Sequence, residues 1–387
     1  MGTDPRGGRP RLEPNPGLQT AHPCEQKSSR FGGSGEMSGG EHIHKLAEWS
    51  GKGESPAMHR ILECAVTDEE ARFLLDLPAS TADLAAKHGM DEKAVEEKVL
   101  NLARRGLVVS SRKGIRYPRN PSTLHDNILS SAEQEIPAEM GKLWMDLYDG
   151  EGWGEEIGRG MAAFGITALR TIPGLNSVPS GVQLLPHESI EAIIEANRDL
   201  ISLRHCCCRR GAKKCSHPTE VCIQFGRRAE YDLYRGSGRK LSRDEAMAAA
   251  LEASNSGLVP TVTNMSAMQA LEFICFCCGC CCLVLDPASK VGATKQILAP
   301  SRFTARVDNE KCDGCLKCPM HCAFDAIEMK NLPGYAEQRA VIDSEKCMGC
   351  GACVPKCPIE GALTMELIQP PEFIPETISG PSSVVHI

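Results

Sequence analysis

The sequence predicts an α+β chain, and three observations carry that prediction. Capped helical segments give way to a short hairpin between residues 58 and 120. A middle stretch over 121–300 has helical patterning and packs eleven cysteines into the 77 residues from Cys206 to Cys282. Near the C-terminus, over 301–368, one cysteine spacing occurs twice, 35 residues apart. The expected order is a disordered leader and linker (1–57), a small helical domain with a hairpin (58–120), a mostly helical cysteine-rich domain (121–300), a compact metal-binding domain with a pseudo-twofold repeat (301–368), and a tail (369–387).

Residues 1–40 are rich in Gly, Pro, Arg and Ser, which suits a disordered leader or an over-extended start with Met37 or Met58 as later candidates. A chain of 387 residues has room for two or three domains. Its 21 cysteines could belong to a secreted disulfide scaffold, but many are adjacent or one residue apart. Such neighbours bridge poorly, and metal coordination explains them better. No apolar signal sequence opens the chain. The longest apolar stretch, Leu271 to Leu285, is too short to span a membrane and contains Glu272. A cytoplasmic protein is expected. The net charge of −7, without a long basic run, argues against general nucleic-acid affinity.

Thr67 and Glu70 form a capping box ahead of a helix that Pro78 ends. Ser80 or Thr81 caps a second short helix that stops at Gly89. A third runs from about Asp91 to Arg105, with Val95, Val99 and Leu102 on one face and Gly106 as its stop. Leu107–Ser111, a Lys113-Gly114 turn and Ile115–Tyr117 read as a hairpin. Together these segments resemble a winged helix-turn-helix domain. Such domains often read DNA through the third helix. Here Asp91, Glu92, Glu96 and Glu97 would repel phosphate, whereas Arg112, Lys113, Arg116 and Arg119 point the other way. A structural or protein-docking role is the preferred reading, with DNA as the alternative partner.

Residues 121–185 carry Trp144, Trp153 and several Gly and Pro, consistent with a helix or two joined by loops. A helix from His187 to about Leu200, with Ile190, Ile193, Ile194 and Ile201 on its buried side, leads into the central cysteines. These are His205-Cys206-Cys207-Cys208-Arg209-Arg210, then Cys215, Pro218, Cys222 and Phe225-Gly226. After a helix capped by Ser242 and Glu245 come Gly257-Leu258-Val259 and Ile274-Cys275-Phe276-Cys277-Cys278-Gly279-Cys280-Cys281-Cys282. Tight groups of cysteines demand a metal or redox role.

Over about 185–368 the arrangement resembles a family of uncharacterised anaerobic iron–sulfur proteins. That resemblance matches Cys206, Cys208, Cys215 and Cys222 to one group and Cys275, Cys277, Cys278, Cys280 and Cys281 to another, with Cys207 and Cys282 less secure members. The first reading is an additional 4Fe-4S cluster on Cys206, Cys208, Cys215 and Cys222, which the later run supplements, partly replaces or complements with a further cluster. A structural zinc site and a dithiol or disulfide redox site at Cys277-Cys278 or Cys281-Cys282 are the alternatives. Arg209, Arg210, Lys213 and Lys214 either tune these thiols or form a solvated turn. His205 and His217 are read as hydrogen-bonded or solvent-facing, and Cys24 and Cys64 as plain thiols.

The C-terminal runs are the most specific signal. Cys312, Cys315, Cys318 and Cys322 follow C-x2-C-x2-C-x3-C, and Cys347, Cys350, Cys353 and Cys357 repeat it, ending in Cys357-Pro358. Zinc sites usually take two C-x2-C pairs separated by a longer gap, so the repeat favours iron–sulfur chemistry over zinc. The pattern resembles bacterial two-cluster ferredoxins, in which the fourth cysteine of each run crosses to the other cluster. The resemblance implies one 4Fe-4S cluster on Cys312, Cys315, Cys318 and Cys357, and a second on Cys347, Cys350, Cys353 and Cys322. Pro358 and the Ala326-Ile327 and Ala362-Leu363 pairs stand where the chain would turn back into strands. One departure is Ala323, not proline, after Cys322.

The family's role is low-potential one-electron transfer, within a span for such clusters of about −700 to +450 mV. No Gly-rich dinucleotide fingerprint and no Walker loop is present. The expected function is an electron carrier or redox subunit working with a partner oxidoreductase. An oxidoreductase that turns over substrate at the central cysteines and a redox-responsive DNA-binding regulator are the competing readings.

Overall fold

The computed structural model describes residues 40–377, apart from 112–113, 133–135 and 166. The chain divides into two compact units, one comprising the chain through Glu151 with Arg210–Ala212 and Ala229–Arg239, and the other the remainder.

Local chemistry sets the helix ends in the first unit. Helix α1 (Glu41–Trp49) buries Ile43, Leu46 and Ala47, so the segment expected as linker is structured from residue 41, because its apolar side chains fall on one helical face. The leader before it lies outside the described residues. In α2 (Pro56–Ala65) the Ser55 hydroxyl accepts from the Met58 N–H and Pro56 occupies the first turn. Helix α3 (Asp68–Leu75) starts at the Thr67/Glu70 capping box. Ser80 caps α4 (Thr81–His88), which ends on left-handed Gly89. Asp91 caps α5 (Glu92–Arg104). Gly106, at φ +83°, follows it where a Cβ would lie 2.2 Å from the Asn127 carbonyl oxygen. The hairpin pairs β1 (Val109–Ser111) with β2 (Gly114–Arg116) in antiparallel register; Arg112 and Lys113 of its turn lie outside the described residues. Helices α6 (Pro121–Leu129) and α7 (Ala138–Met145) complete this part.

Charge is used for structure here. The Asp91 carboxylate caps α5 through the Ala94 N–H at 2.8 Å. Arg119 stacks over Trp49, 3.8 Å from the ring centroid. Arg105 grips both oxygens of Glu70 at 2.6 and 2.9 Å and also donates to the Ala65 carbonyl, tying the end of α5 to the start of α3. The fully buried Arg235 donates to the carbonyls of Asn127 in the last turn of α6 and of Ser130 just past it.

The second unit opens with α8 (Trp153–Ala163) and β3 (Leu169–Thr171). The helix expected from His187 to Leu200 is shorter: a 3-10 turn at Pro186–Glu188 precedes α9 (Ile190–Ala196), and Ile201 opens β4 (Ile201–His205). Along the chain there follow α10 (Cys207–Ala212) and α11 (Gly226–Arg235), which belong in part to the first unit, with β5 (Glu220–Phe225) between them, then β6 (Gly238–Leu241), α12 (Arg243–Asn255), β7 (Val259–Thr263), β8 (Phe273–Cys277), α13 (Leu285–Lys290), α14 (Thr294–Ile297) and β9 (Leu298–Ala299). Strands β3 to β9 form one sheet in the order β6-β4-β5-β8-β7-β3-β9. The middle is rich in helix as expected, but it also carries this seven-stranded sheet, with Cys222, Cys275 and Cys277 on its strands and Cys207 and Cys208 in α10. Residues 201–205, 220–225 and 259–263 are buried almost throughout, and such continuous runs lack the alternation that marks a strand in sequence. Helix α12 lays Ala246, Ala250 and Ala253 against β4 and β5.

The chain ends in β10 (Phe303–Val307), α15 (Lys317–Met320), β11 (Ile327–Lys330), β12 (Arg339–Ile342) and β13 (Leu363–Leu367). Strand β10 pairs with β13, and β11 with β12, both antiparallel. Each pair therefore joins one strand from before a cysteine run to one from after the other run. Phe303, Ala305, Ile327, Ala340, Leu363 and Met365 form the core between them, with the cysteines at its edge. No helix among the described residues is long and apolar enough to cross a membrane.

Candidate metal centres

The two C-terminal runs sit in matching frames. After a strand, the Asp308 carbonyl accepts the Cys312 N–H at 2.9 Å, and the Asp343 carbonyl accepts the Cys347 N–H at 2.9 Å. The two carboxylates accept the N–H groups of Glu310 and Glu345. The aspartates' own N–H groups bond crosswise, Asp308 to Ala362 and Asp343 to Ala326, at 2.9 and 2.8 Å. Each run is thus held by the chain that leaves the other.

That crossing sorts the thiols. Cys357 lies beside Cys312 and Cys315, and Cys318 beside Cys312, Cys315 and Cys357. Cys322 lies with Cys347, Cys350 and Cys353. The first set is the outer one: Cys315 is exposed and Leu316 and Met320 beside it are 52% and 75% exposed. The second set is the inner one, with Cys353 buried and none of its cysteines fully exposed. Its four cysteines line one small pocket walled by Ala305, Ile327, Met348 and Met365. Burial pushes the Cys350 thiol up to about 12 and Cys318 to about 11. A bound cation must displace those protons, which couples metal uptake to proton release. The Ala326 N–H donates to Cys322 Sγ at 3.3 Å. Four thiols per set, apolar walls and an amide aimed at sulfur are the donor chemistry a 4Fe-4S cluster requires.

The inner set is anchored to the large sheet of its own unit. Thr171 Oγ1 at the end of β3 donates to the Met348 carbonyl at 2.5 Å, Ser301 Oγ to the Gly349 carbonyl at 2.6 Å, and the Gly174 N–H to the Cys350 carbonyl at 3.0 Å. Gly349, at φ +65°, would place a Cβ 2.1 Å from the Phe303 carbonyl oxygen.

The central cysteines come together differently from the sequence grouping. Antiparallel β4 and β5 put Cys222 opposite Arg204, and the Ile223–Ile274 pairing of β5 with β8 sets Cys222 across from Cys275. Strand periodicity brings Cys275 and Cys277 to one face. Cys206 contacts Cys208 and Cys222, Cys222 contacts Cys275, Cys208 contacts Cys282, and Cys282 contacts Cys277. These six thiols form one chain of contacts, buried at Cys206, Cys222 and Cys282 and half-buried at Cys208, Cys275 and Cys277, with Cys207 Sγ 3.7 Å from Cys208 Sγ. Cys215 stands instead with Cys278, Cys280 and Cys281, the four sulfurs within 4.8 Å of one another. The set Cys206, Cys208, Cys215 and Cys222 therefore divides between two groups. Cys282 joins the first group as a full member, which the run of cysteines hinted at but its spacing could not settle.

Arg209 lies against both groups. It is 2% exposed and donates to the carbonyls of Pro218 and Phe276 at 2.9–3.0 Å and to Cys278 Sγ at 3.6 Å. Hydrogen bonding from Cys281, with Arg209 assisting against burial, draws Cys278 down to about 5. Hydrogen bonds from Cys208 and Cys222, again with Arg209, hold Cys206 below the usual thiol range. Arg210 is buried too, donating to the carbonyls of Leu129 and Ser131, whereas Lys213 and Lys214 are exposed. His205 bonds Thr219 Oγ1 at 3.0 Å. Cys64 is buried in α2, and Cys24 lies outside the described residues. No disulfide links the described cysteines.

The central and C-terminal thiols share a wall. Cys282, Cys277 and Cys350 pack in one apolar cluster with Val259, Leu285, Met348 and Ala352. Gly279, between Cys278 and Cys280, approaches Ala323 so closely that a Cβ would lie 3.1 Å from its carbonyl oxygen.

Residues 305–365 match the family model described as a 4Fe-4S dicluster domain. The C-terminal part is a ferredoxin-type 4Fe-4S domain. The match and the cysteine content together support an iron–sulfur electron-transfer role. No curated protein and no solved structure matches the chain.

Proposed function

We propose that the protein is an iron–sulfur electron carrier or redox subunit that moves electrons through two 4Fe-4S clusters to or from a partner oxidoreductase. Cys312, Cys315, Cys318 and Cys357 hold the outer cluster, and Cys347, Cys350, Cys353 and Cys322 the inner one. What supports this reading is the crosswise bonding of the two runs, which gathers Cys357 near Cys312 and Cys315, and Cys322 near Cys347 and Cys350, inside one small core. The group Cys206, Cys208, Cys222, Cys275, Cys277 and Cys282 holds a further iron–sulfur centre. Its contact with Cys350 through one apolar cluster supports a continuous path from the surface at Cys315, through the inner cluster, to the central thiols.

Residues 58–120 are read as a winged-helix module that docks protein. The capping role of Asp91 and the stacking of Arg119 on Trp49 favour that over DNA. Thiols without disulfides and oxygen-labile clusters suit the cytoplasm. Anaerobic iron and sulfide quantitation with paramagnetic resonance tests the proposal. It predicts at least about eight irons per chain and reversible reduction. Two irons or fewer would overturn it.

A further inference from the structure

Cys215, Cys278, Cys280 and Cys281 stand apart from the thiols given above to iron–sulfur clusters. We infer that they bind one divalent thiophilic ion in a mononuclear tetrahedral site of the zinc class. Two loops build it. Lys213, at φ +50°, turns the chain out of α10 and delivers Cys215. The other three cysteines come from the reversal that follows β8.

The spacing identifies the occupant. Cys215 Sγ is 3.9 Å from Cys278 Sγ and 3.8 Å from Cys281 Sγ, and Cys280 Sγ is 3.7 Å from Cys281 Sγ. Four sulfurs placed about 2.3 Å from a central ion form a tetrahedron with edges of about 3.8 Å. In a cubane each thiolate ends on a different iron, so sulfur separations span the iron–iron distance plus the outward iron–thiolate bonds. Four sulfurs all within 4.8 Å of one another leave no room for that, but they enclose one ion.

The surroundings fit the charge. Four thiolates around a divalent ion carry a net charge of −2, and Arg209 answers it at Cys278 while the Lys214 N–H donates to Cys281. Such outer contacts orient and tune metal ligands. Cys280 is exposed, which gives the ion a way in. Four protein sulfurs leave no open coordination position, so the ion's work is structural. It staples the loop carrying Cys215 to the loop after β8 and so fixes Arg209 against the six-thiol group. This inference stands whether or not electrons reach that group.

The test uses the full chain, purified anaerobically in medium supplemented with zinc. Zinc-edge X-ray absorption on the unaltered protein should show four sulfurs at about 2.3 Å and about one zinc per chain. Cys280→Ser and Cys215→Ser should each reduce zinc to trace levels while iron and sulfide stay at the parent value. A single iron in place of zinc, lost in both variants without loss of sulfide, equally upholds a mononuclear site. Loss of about four irons and four sulfides in either variant, fewer than four sulfurs around the ion, or an unaltered protein with no metal that these variants remove would overturn it. The absorption measurement needs no variant, so misfolding of a substituted chain cannot decide the outcome.

Discussion

The guanidinium of Arg209 spends three of its contacts on carbonyls, two at Phe276 and one at Pro218, and a fourth on the sulfur of Cys278. A lysine in its place has one donor centre and cannot span both carbonyls and the thiol. Arg209→Lys and Arg209→Ala should therefore weaken retention of the central metals by about 10–100-fold, as lost outer-sphere partners do, with the C-terminal iron unchanged. Chelator competition followed by metal analysis reads this directly, and unchanged retention would refute the role given to Arg209. Glu70 is a second residue whose charge is structural. Burial raises its carboxyl, but Arg105 and the Thr67 N–H outweigh that and hold it below the usual value. A depressed folded-state value means stability that is fully present above the unfolded carboxylate range, near pH 4.3, and lost as pH falls through the lower folded value. Glu70→Gln should cost about 1–3 kcal/mol near neutrality, and the difference from the parent should shrink below about pH 4. Amide exchange over Asp68–Leu75 at the two pH values checks the sign; a difference that grows on acidification would contradict it.

At the scale of elements, what the sequence reveals depends on whether the signal is local. The caps at Thr67, Ser80 and Ser242 and the stops at Gly89 and Gly106 are short-range hydrogen-bond and backbone requirements, and they stand where the residues predict. The sheet that holds Cys222, Cys275 and Cys277 was not legible, because its strands Ile201–His205 and Val259–Thr263 are buried on both faces and alternate nothing. The division of the cysteines was hidden for the same reason. Cys222 meets Cys275 through the register of β5 on β8, a pairing between segments some fifty residues apart in sequence that no spacing encodes. Element geometry also predicts where glycine is required. Gly349→Ala puts a Cβ against the Phe303 carbonyl at a left-handed backbone position, whereas Gly334, at φ +90°, has open space around it. Gly349→Ala should lose the inner cluster, about half the C-terminal iron. Gly334→Ala should cost only about 1–3 kcal/mol of backbone strain and keep the iron. Equal iron in the two variants would contradict the close approach.

Across the whole molecule, the chemistry lies in the second unit, where one sheet and one ferredoxin-type domain share an apolar wall around Cys277, Cys282 and Cys350. The repeated cysteine spacing made the C-terminal domain readable at once, and the matched Asp308 and Asp343 frames give that repeat its physical basis. The partner and the direction of electron flow are not encoded in any spacing. The account's central claim is that Cys322 and Cys357 cross between runs, and paired variants test it most directly. If they cross, Cys315→Ser with Cys357→Ser strikes the same cluster twice. The double variant should then keep about four of eight irons, while Cys315→Ser with Cys322→Ser strikes both clusters and should lose nearly all. The opposite ranking, with Cys315→Ser/Cys322→Ser keeping half and Cys315→Ser/Cys357→Ser losing nearly everything, would mean that each run serves its own cluster and would contradict the account.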